Sequence, residues 1–411
     1  MQIPDRRLGG RCRAGWLRAL AVLSALPMLT GCPDRLRVLS SQGASVRLKA
    51  NASSQTDAAR SHQLRVLTFN AGLAPGVIPH VDDRATSIAT ALAQEDFDVA
   101  CLQEVWLQRH QRLLRDQLTR EPGVTWMSPE PEPVAGLRCE DAELTSLVAC
   151  VAKNCREESN VASCAIERCR SRLDGLSDGC AACLSRDLDD PLRSLASCVE
   201  ASDAVGDAGL TPKPYLLGGS YGTALISRLP VLDVEYTQFE STMHPRGVIH
   251  ARVEHPSLGE VDAYCTHLTP FLRGMKHPPA GEFIREQSGQ IEQLIRMIGA
   301  PGEQRGNRPL LLLGDLNTGP HVAQGESYQA RLPQHFARLL VGTGLRDAAP
   351  AQAKDCTFCY GNPLQPHPDS GGLRIDHVLF RQLEPRTVRY ERAFVEPTLS
   401  DHYGVRVLLQ L

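Results

Sequence analysis

LLLLGDLNTGP (residues 310–320) runs through four leucines, breaks at Gly314, and then delivers Asp315 and Asn317 two positions apart. An unbroken apolar run of this length reads as a strand covered on both faces, although periodicity alone leaves a short buried helix open. The flanking Gly314 and Pro320 favour the strand. Side chains two apart along a strand project to one side. A carboxylate that can bind a cation or orient water would therefore sit beside an amide that can donate to a phosphate oxygen. Taken alone, the segment is more simply a polar turn closing a strand, so other stretches must decide.

The chain has 411 residues, enough for one large domain or two ordinary ones, and its 42% hydrophobic content supplies a core. A formal net charge of −3 demands no strongly basic surface. Wholesale coating of nucleic acid is not implied, while a locally basic groove stays open.

The N-terminus reads as a targeting segment. Arg6, Arg7, Arg11 and Arg13 precede ALAVLSALPML (19–29), which is too short to span a bilayer as a stable helix. It runs into LTGC (29–32), which resembles a bacterial lipoprotein signal. Cleavage of residues 1–31 would leave Cys32 as an acylated first residue, anchoring an exported protein that faces the periplasm or the cell exterior. Residues 32–62 are polar and lack sustained apolar periodicity, so a flexible tether is expected there and a folded body from 63 to 411.

Eight cysteines (Cys139, Cys150, Cys155, Cys164, Cys169, Cys180, Cys183, Cys198) crowd into residues 139–198, a stretch without histidine. In an exported chain this favours disulfides over zinc, with a pairing that sequence cannot give. LTSLVACVAKNC and CAIERCRSRL look helical, so a small stapled helical insert is expected. Cys356 and Cys359 form CTFC, either a tight disulfide or two cysteines paired elsewhere. Cys101 and Cys265 lie inside apolar strands and are expected to pack as small hydrophobes.

Along the body, polar side chains recur at the ends of apolar runs. QLRVLTFNAGL (63–73) alternates up to Phe69 and presents Asn70. A helical stretch, RATSIATALAQEDFD, leads into VACLQEVW, which ends in Glu104. A glutamate there needs a partner, either a divalent cation or a buried salt bridge. YGTALISRLPVLDVEY and GVIHARVEH read as strands, VDAYCTHLTP ends a strand at His267, and EQSGQIEQLIRMIG reads as a helix before the leucine run. LRIDHVLF holds Asp376, and LSDHYGVRVLLQL opens the last strand with Asp401 and His402. Arg228 and Arg246 are read as ordinary surface arginines rather than phosphate ligands. Carboxylates, amides and imidazoles gathered at strand ends suit metal-assisted attack on a phosphodiester.

In order, TFN, LQEVW, THL, GDLN, RIDHVLF and LSDH resemble the endonuclease/exonuclease/phosphatase superfamily of metal-dependent phosphoesterases. EDFDVACLQEVW, YGTALISRLPV and VDAYCTHLTP are similar over longer stretches to the neutral sphingomyelinases. The inositol-phosphatase branch fits worse, and residues 139–198 are foreign to the pattern. The resemblance implies a four-layer α/β sandwich, two packed mixed sheets with helices outside. It further implies Mg²⁺, with Mn²⁺ or Ca²⁺ as alternatives, held by Glu104 with Asn70 beside it and Asp401 near. His402 would be the general base oriented by Asp376. Asp315 would orient water or a second metal, and Asn317 and His267 would donate to the phosphoryl group. The activity expected is hydrolysis of a phospholipid head-group diester. A secreted endonuclease and a non-catalytic binding lipoprotein are the alternatives.

Overall fold

The computed structural model describes residues 62–411, apart from 76, 133–136, 157, 159–160, 187–190, 201–213, 272–279, 301–307, 321–331, 352, 354 and 366–371. The signal segment and nearly all of the tether lie outside the described residues.

In chain order the strands begin with β1 (Gln63–Asn70), β2 (Val99–Gln103), β3 (Thr125–Met127) and β4 (Ala224–Ser227). Next come β5 (Val231–Phe239), β6 (Arg246–His255), β7 (Gly259–His267) and β8 (Leu310–Asp315). The last four are β9 (Arg346–Asp347), β10 (Asp376–Arg381), β11 (Thr387–Ala393) and β12 (Gly404–Gln410). They form two six-stranded mixed sheets, ordered β11-β12-β1-β2-β4-β3 and β5-β6-β7-β8-β10-β9.

The leucine run is a strand, and all of β8 is buried. Its alternation explains the unbroken apolar reading. Leu311 and Leu313 pack in the layer between the sheets, with Val66 and Val407 from the first sheet. Leu310 and Leu312 face the other way, onto Ile291 and Leu294 of α8 (Ala280–Ile298) and Leu339 of α9 (Pro333–Thr343). On the far side, Leu67 and Phe69 of β1 meet Ile88 and Leu92 of α1 (Val81–Gln94) and Leu114 of α2 (Gln108–Leu118). The result is the four-layer sandwich, helices against each outer face of two packed sheets. Each fully buried leucine contributes on the order of 1.5–3 kcal/mol.

Gly314 shows why the leucine run must stop. Its φ of 147° is one that L side chains rarely adopt, and a Cβ there would lie 1.9 Å from the Thr266 carbonyl oxygen of the paired strand.

One expectation is corrected here. Cys101 and Cys265 do not merely pack; they form a disulfide that ties β2 of one sheet to β7 of the other inside the central layer. Both strands point alternate residues at that layer, so the two cysteines face each other although 164 residues separate them.

The cysteine-rich segment connects β3 to β4, antiparallel neighbours at one sheet edge. It carries α3 (Asp141–Asn154), α4 (Val161–Arg168), α5 (Arg170–Leu173), α6 (Asp178–Leu184) and α7 (Pro191–Glu200). Its eight cysteines pair among themselves, as Cys139–Cys180, Cys150–Cys169, Cys155–Cys164 and Cys183–Cys198. Among the described residues no helix is long and apolar enough to cross a membrane.

Candidate active site

The alternation that builds the central layer also delivers the polar groups. Leu64 and Val66 of β1, Val261, Ala263 and Cys265 of β7, Leu311 and Leu313 of β8, and Val378 and Phe380 of β10 all face between the sheets. Stepping by two along those strands reaches Asn70, His267, Asp315 and Asp376. Strand register then brings them level, because Asp315 pairs with His267 on one side and with Asp376 on the other. From the opposite sheet Asn70 Nδ2 donates to Asp315 Oδ2 at 2.9 Å and to Glu104 Oε1 at 3.1 Å. The apolar layer thus ends in a polar one at a common end of both sheets.

Glu104 arrives by a different route. In β2 Cys101 faces the central layer, and Gln103 on the same side donates to the Cys101 carbonyl and to Thr68. Strand alternation would turn Glu104 toward the helices. A left-handed φ of 58° at Glu104 redirects it. Asn317 is likewise left-handed, at φ 51°. Its N–H donates to Asp315 Oδ1 at 2.8 Å, and its Nδ2 donates to the Leu268 carbonyl at 3.0 Å. One amide N–H of Asn317 is therefore engaged in joining the ends of β8 and β7.

His402 precedes β12, and its Nδ1 lies 2.8 Å from Asp376 Oδ2. The CTFC segment braces this pair. Cys356 and Cys359 are joined to each other. Between them, Thr357 Oγ1 accepts from the Asp376 N–H at 3.2 Å, and the Phe358 ring packs 4.9 Å from that of His402. Asp401 is buried and accepts from Ser400 Oγ at 3.1 Å.

The electrostatics show what this arrangement lacks. Removal from water and the Asp401 charge push the Glu104 carboxyl up. Burial and the neighbouring Asp376 push Asp315 up to about 7. Burial alone would lower His402, yet the charges of Asp376, Asp401 and Asp315, with the Asp376 hydrogen bond, hold it well above the usual imidazole range. Burial, reinforced by Arg246 and His402, holds His267 well below that range, hence neutral. Four carboxylates crowd one pocket of low dielectric, and Asp376 Oδ1 is buried without a hydrogen-bond partner.

A hard divalent cation fits that deficit. Oxygen and nitrogen donors of Glu104, His267 and Asp315 lie within 4.8 Å of one another, as do those of Asp315, Asp376 and His402. Carboxylate-rich sets of this kind suit Mg²⁺, Mn²⁺ or Ca²⁺. The charge of an ion there would relieve the carboxylates and let His402 return toward its neutral, basic form. The salt-bridge alternative for Glu104 finds no support among the described residues, where its side chain accepts from the Asn70 amide.

All eight residues singled out in the sequence lie at this end of the sheets. Asn70, Glu104, His267, Asp315, Asp376 and His402 form one linked set, with Asp401 acting on Glu104 by charge. Of the two arginines, Arg228 is structural, its Nη1 donating to the Glu95 carbonyl at 2.6 Å and stacking over Phe97. Arg246 is not the surface residue expected. It is 6% exposed, its Nη1 has no hydrogen-bond partner, and it lies 5.5 Å from the Trp106 ring, under the charges of Glu104 and Asp315. Trp106 stacks on His244 at 4.4 Å. Arg84 was missed as well. Its guanidinium donates to the carbonyls of Ala71, Gly72 and Leu399, gripping the segments that carry Asn70 and Asp401. The signal for Arg84 was an arginine on the apolar face of an otherwise regular amphipathic helix.

The sequence profile of the endonuclease/exonuclease/phosphatase family matches residues 67–402. No curated protein matches the chain by sequence. Among solved structures, TDP2 from C. elegans superposes with a TM-score of 0.50 at 13% identity, covering 85% of this chain and 75% of that one. Sphingomyelinase C from Streptomyces griseocarneus gives 0.49 at 18% identity, with 84% and 99% covered. Beta toxin from Staphylococcus aureus, solved with bound magnesium ions, gives 0.47 at 13%, with 84% and 99% covered. By sequence profile, fold and the set of side chains at its sheet ends, the chain belongs to the endonuclease/exonuclease/phosphatase family and is a metal-dependent phosphodiester hydrolase.

Proposed function

We propose that this hydrolase uses Mg²⁺ to cleave a phospholipid head-group phosphodiester, as an exported lipoprotein tethered through acylated Cys32. The observation that carries the reaction is the His402–Asp376 pair, 2.8 Å apart, set against Glu104, Asp315 and Asn70. The lipid substrate rests on the sphingomyelinase-like stretches and the tether on the lipoprotein-like N-terminus.

Asp376 holds the Nδ1 proton of His402, which leaves Nε2 to take a proton from the attacking water. Asp315 accepts from that water and orients it, while Asn70 of the opposite sheet holds the Asp315 and Glu104 carboxylates in place. His267, neutral through burial, donates to the phosphoryl group as charge builds, with the free N–H of Asn317 beside it. A bound divalent cation would polarise a phosphoryl oxygen. Glu104 would be its principal ligand, supported by Asn70, Asp315 and Asp401.

Sphingomyelin vesicles and supercoiled plasmid, each incubated with the full chain and Mg²⁺, test the reading. Lipid hydrolysis that is lost in excess EDTA and in Glu104→Gln is the expected result. Nicked plasmid with intact lipid would transfer the activity to nucleic acid.

A further inference from the structure

The apolar face of α8 changes character where the helix passes the catalytic end of the sheets. Ile291, Leu294 and Ile298 pack against the leucines of β8, and stepping back along the same face reaches Gln287 and Gln290. Gln287 is 0% exposed and Gln290 1%, so two amides stand where the helix pattern calls for apolar side chains. A buried amide is costly unless its hydrogen bonds are met. Here they are met by the loops that leave β7 and β8.

Gln287 Nε2 donates to the Thr269 carbonyl at 2.9 Å and to the Asn317 carbonyl at 3.2 Å. Its Oε1 accepts from Nδ1 of His335 on α9 at 2.7 Å, which fixes the way the amide faces. Gln290 holds the first loop from the next turn of the helix. Its Oε1 accepts from the Thr269 N–H at 2.9 Å, and its Nε2 donates to the Thr269 hydroxyl at 2.7 Å. Thr269 lies two residues after His267, and Asn317 two after Asp315. One side chain thus ties the loop that follows His267 to the turn that carries Asn317. The bond from Asn317 Nδ2 to the Leu268 carbonyl closes a ring across the same two loops. Both N–H groups of the Gln287 amide and its oxygen are engaged in this tie, which leaves none for a substrate.

We infer that Gln287 is a positioning residue for the reaction, setting the left-handed turn at Asn317 against the end of β7 so that Asn317 and His267 face one phosphoryl group together. The role rests on the assignment of those two side chains as phosphoryl donors in the proposed mechanism. Such donors act only at the distance the developing charge requires, and a displacement on the order of 1 Å costs about 10²-fold. A loosened tie should therefore lower kcat and leave KM nearly untouched.

The test uses the full chain with Mg²⁺ and bis(4-nitrophenyl) phosphate. Gln287→Met keeps the length of the side chain and removes its hydrogen bonds. Its kcat should fall about tenfold, with KM and the Mg²⁺ concentration for half-maximal rate within about twofold of wild type. Wild-type kcat in the folded variant, or a loss confined to KM, overturns the inference. A double-mutant cycle then separates positioning from mere support of the fold. Asn317→Ala should cost about 10²-fold in wild type but only about tenfold in Gln287→Met, because the displaced amide has already lost part of its effect. Equal costs in the two backgrounds overturn the positioning role. If Asn317→Ala turns over as wild type does, the assignment of Asn317 as a donor falls, and the same cycle with His267→Ala decides the role of Gln287. Coupling to His267 upholds it, and independent losses overturn it. His335→Phe keeps a ring in place and frees the Gln287 amide to turn, so kcat should fall about threefold with the same coupling to Asn317. That variant takes the place of Gln287→Met in the cycle if Gln287→Met does not fold, and independence from Asn317 there overturns the role as well.

Discussion

The catalytic body and the cysteine-rich insert are held together by different physics. The body has a broad layer between two sheets, in which Val66, Leu311, Leu313, Val378 and Val407 are fully buried. The insert's buried cluster is Cys139, Leu144, Cys180, Cys183 and Cys198, so four of its five members are half-cystines. A unit with so little apolar volume cannot offset chain entropy by burial, and its four cross-links supply the difference at about 2–4 kcal/mol each. The body can therefore carry costly buried polar groups at its sheet ends, while the insert is free to vary its surface.

Four measurements bear on that division, and the largest effect belongs to the body. His402→Ala should reduce kcat on a soluble diester such as bis(4-nitrophenyl) phosphate by about 10²–10⁴-fold, the usual worth of a general base. Asp376→Asn should lose less, because it orients the imidazole without taking the proton. Both variants should keep the wild-type circular dichroism. Near-normal turnover in His402→Ala would remove it from the mechanism.

The disulfide between Cys101 and Cys265 is the exception to the division, since it is a cross-link inside the well-packed core. The double variant Cys101→Ala, Cys265→Ala should lose about 2–5 kcal/mol in denaturant unfolding. Cys101 lies three residues before Glu104 and Cys265 two before His267, so the link also ties the strands that carry them. Turnover should fall in kcat more than in KM. An unchanged unfolding midpoint would show that sheet packing alone holds the layer.

These residues also mark what the sequence could and could not tell. Asn70, His267, Asp315 and Asp376 were legible because each continues the period-two alternation of an apolar strand. The alternation marked single strands, and the two-sheet sandwich came from the family resemblance, because periodicity does not say which strands pair or how sheets stack. Glu104 was legible as a glutamate closing an apolar run, but its turn into the site was not, since its orientation depends on a left-handed backbone that composition does not encode. The Cys101–Cys265 link was illegible because it needs the facing of two strands in different sheets. Arg246 was misread because an arginine's burial depends on long-range partners, here Glu104 and Asp315, rather than on its neighbours in sequence.

Acid sensitivity should be a smaller effect, and again one of the body, because residues 139–198 contain no histidine. His110 on α2 is 2% exposed, with Nε2 at 2.6 Å from Asp82 Oδ1 on α1 and Nδ1 without a partner. Burial depresses its pKa, Asp82 opposes this, and the charges of Arg109 and Arg84 add to the depression. The unfolded chain, titrating near 6.5, then takes up the proton first as pH falls. The stability held at neutral pH is lost from about pH 6.5 downward through the folded pKa. Between pH 7 and pH 5 the Tm should drop, and His110→Gln should drop less. Equal slopes would assign the acid sensitivity to other groups.

The smallest effect should come from the largest change. Replacing residues 139–198 with a short Gly/Ser loop removes four disulfides and five helices but none of the eight site residues. The segment leaves and re-enters between the adjacent strands β3 and β4, so a shorter connection can span the gap, and closure entropy changes only slowly with loop length. The body loses the Leu217–Ser185 hydrogen bond, worth about 0.5–1.5 kcal/mol, and the backbone packing at Gly218. Neither contact touches the His402–Asp376 pair. Turnover of bis(4-nitrophenyl) phosphate should therefore stay within about threefold of wild type, a difference under 1 kcal/mol in the barrier. Selectivity should respond, because Arg186 and Arg193 leave with the insert and a cavity beside Trp106 loses a wall. Hydrolysis of lipid vesicles should fall while the small diester is spared. A collapse of turnover on the small diester, with the fold retained by circular dichroism, would mean that the insert braces the catalytic sheets.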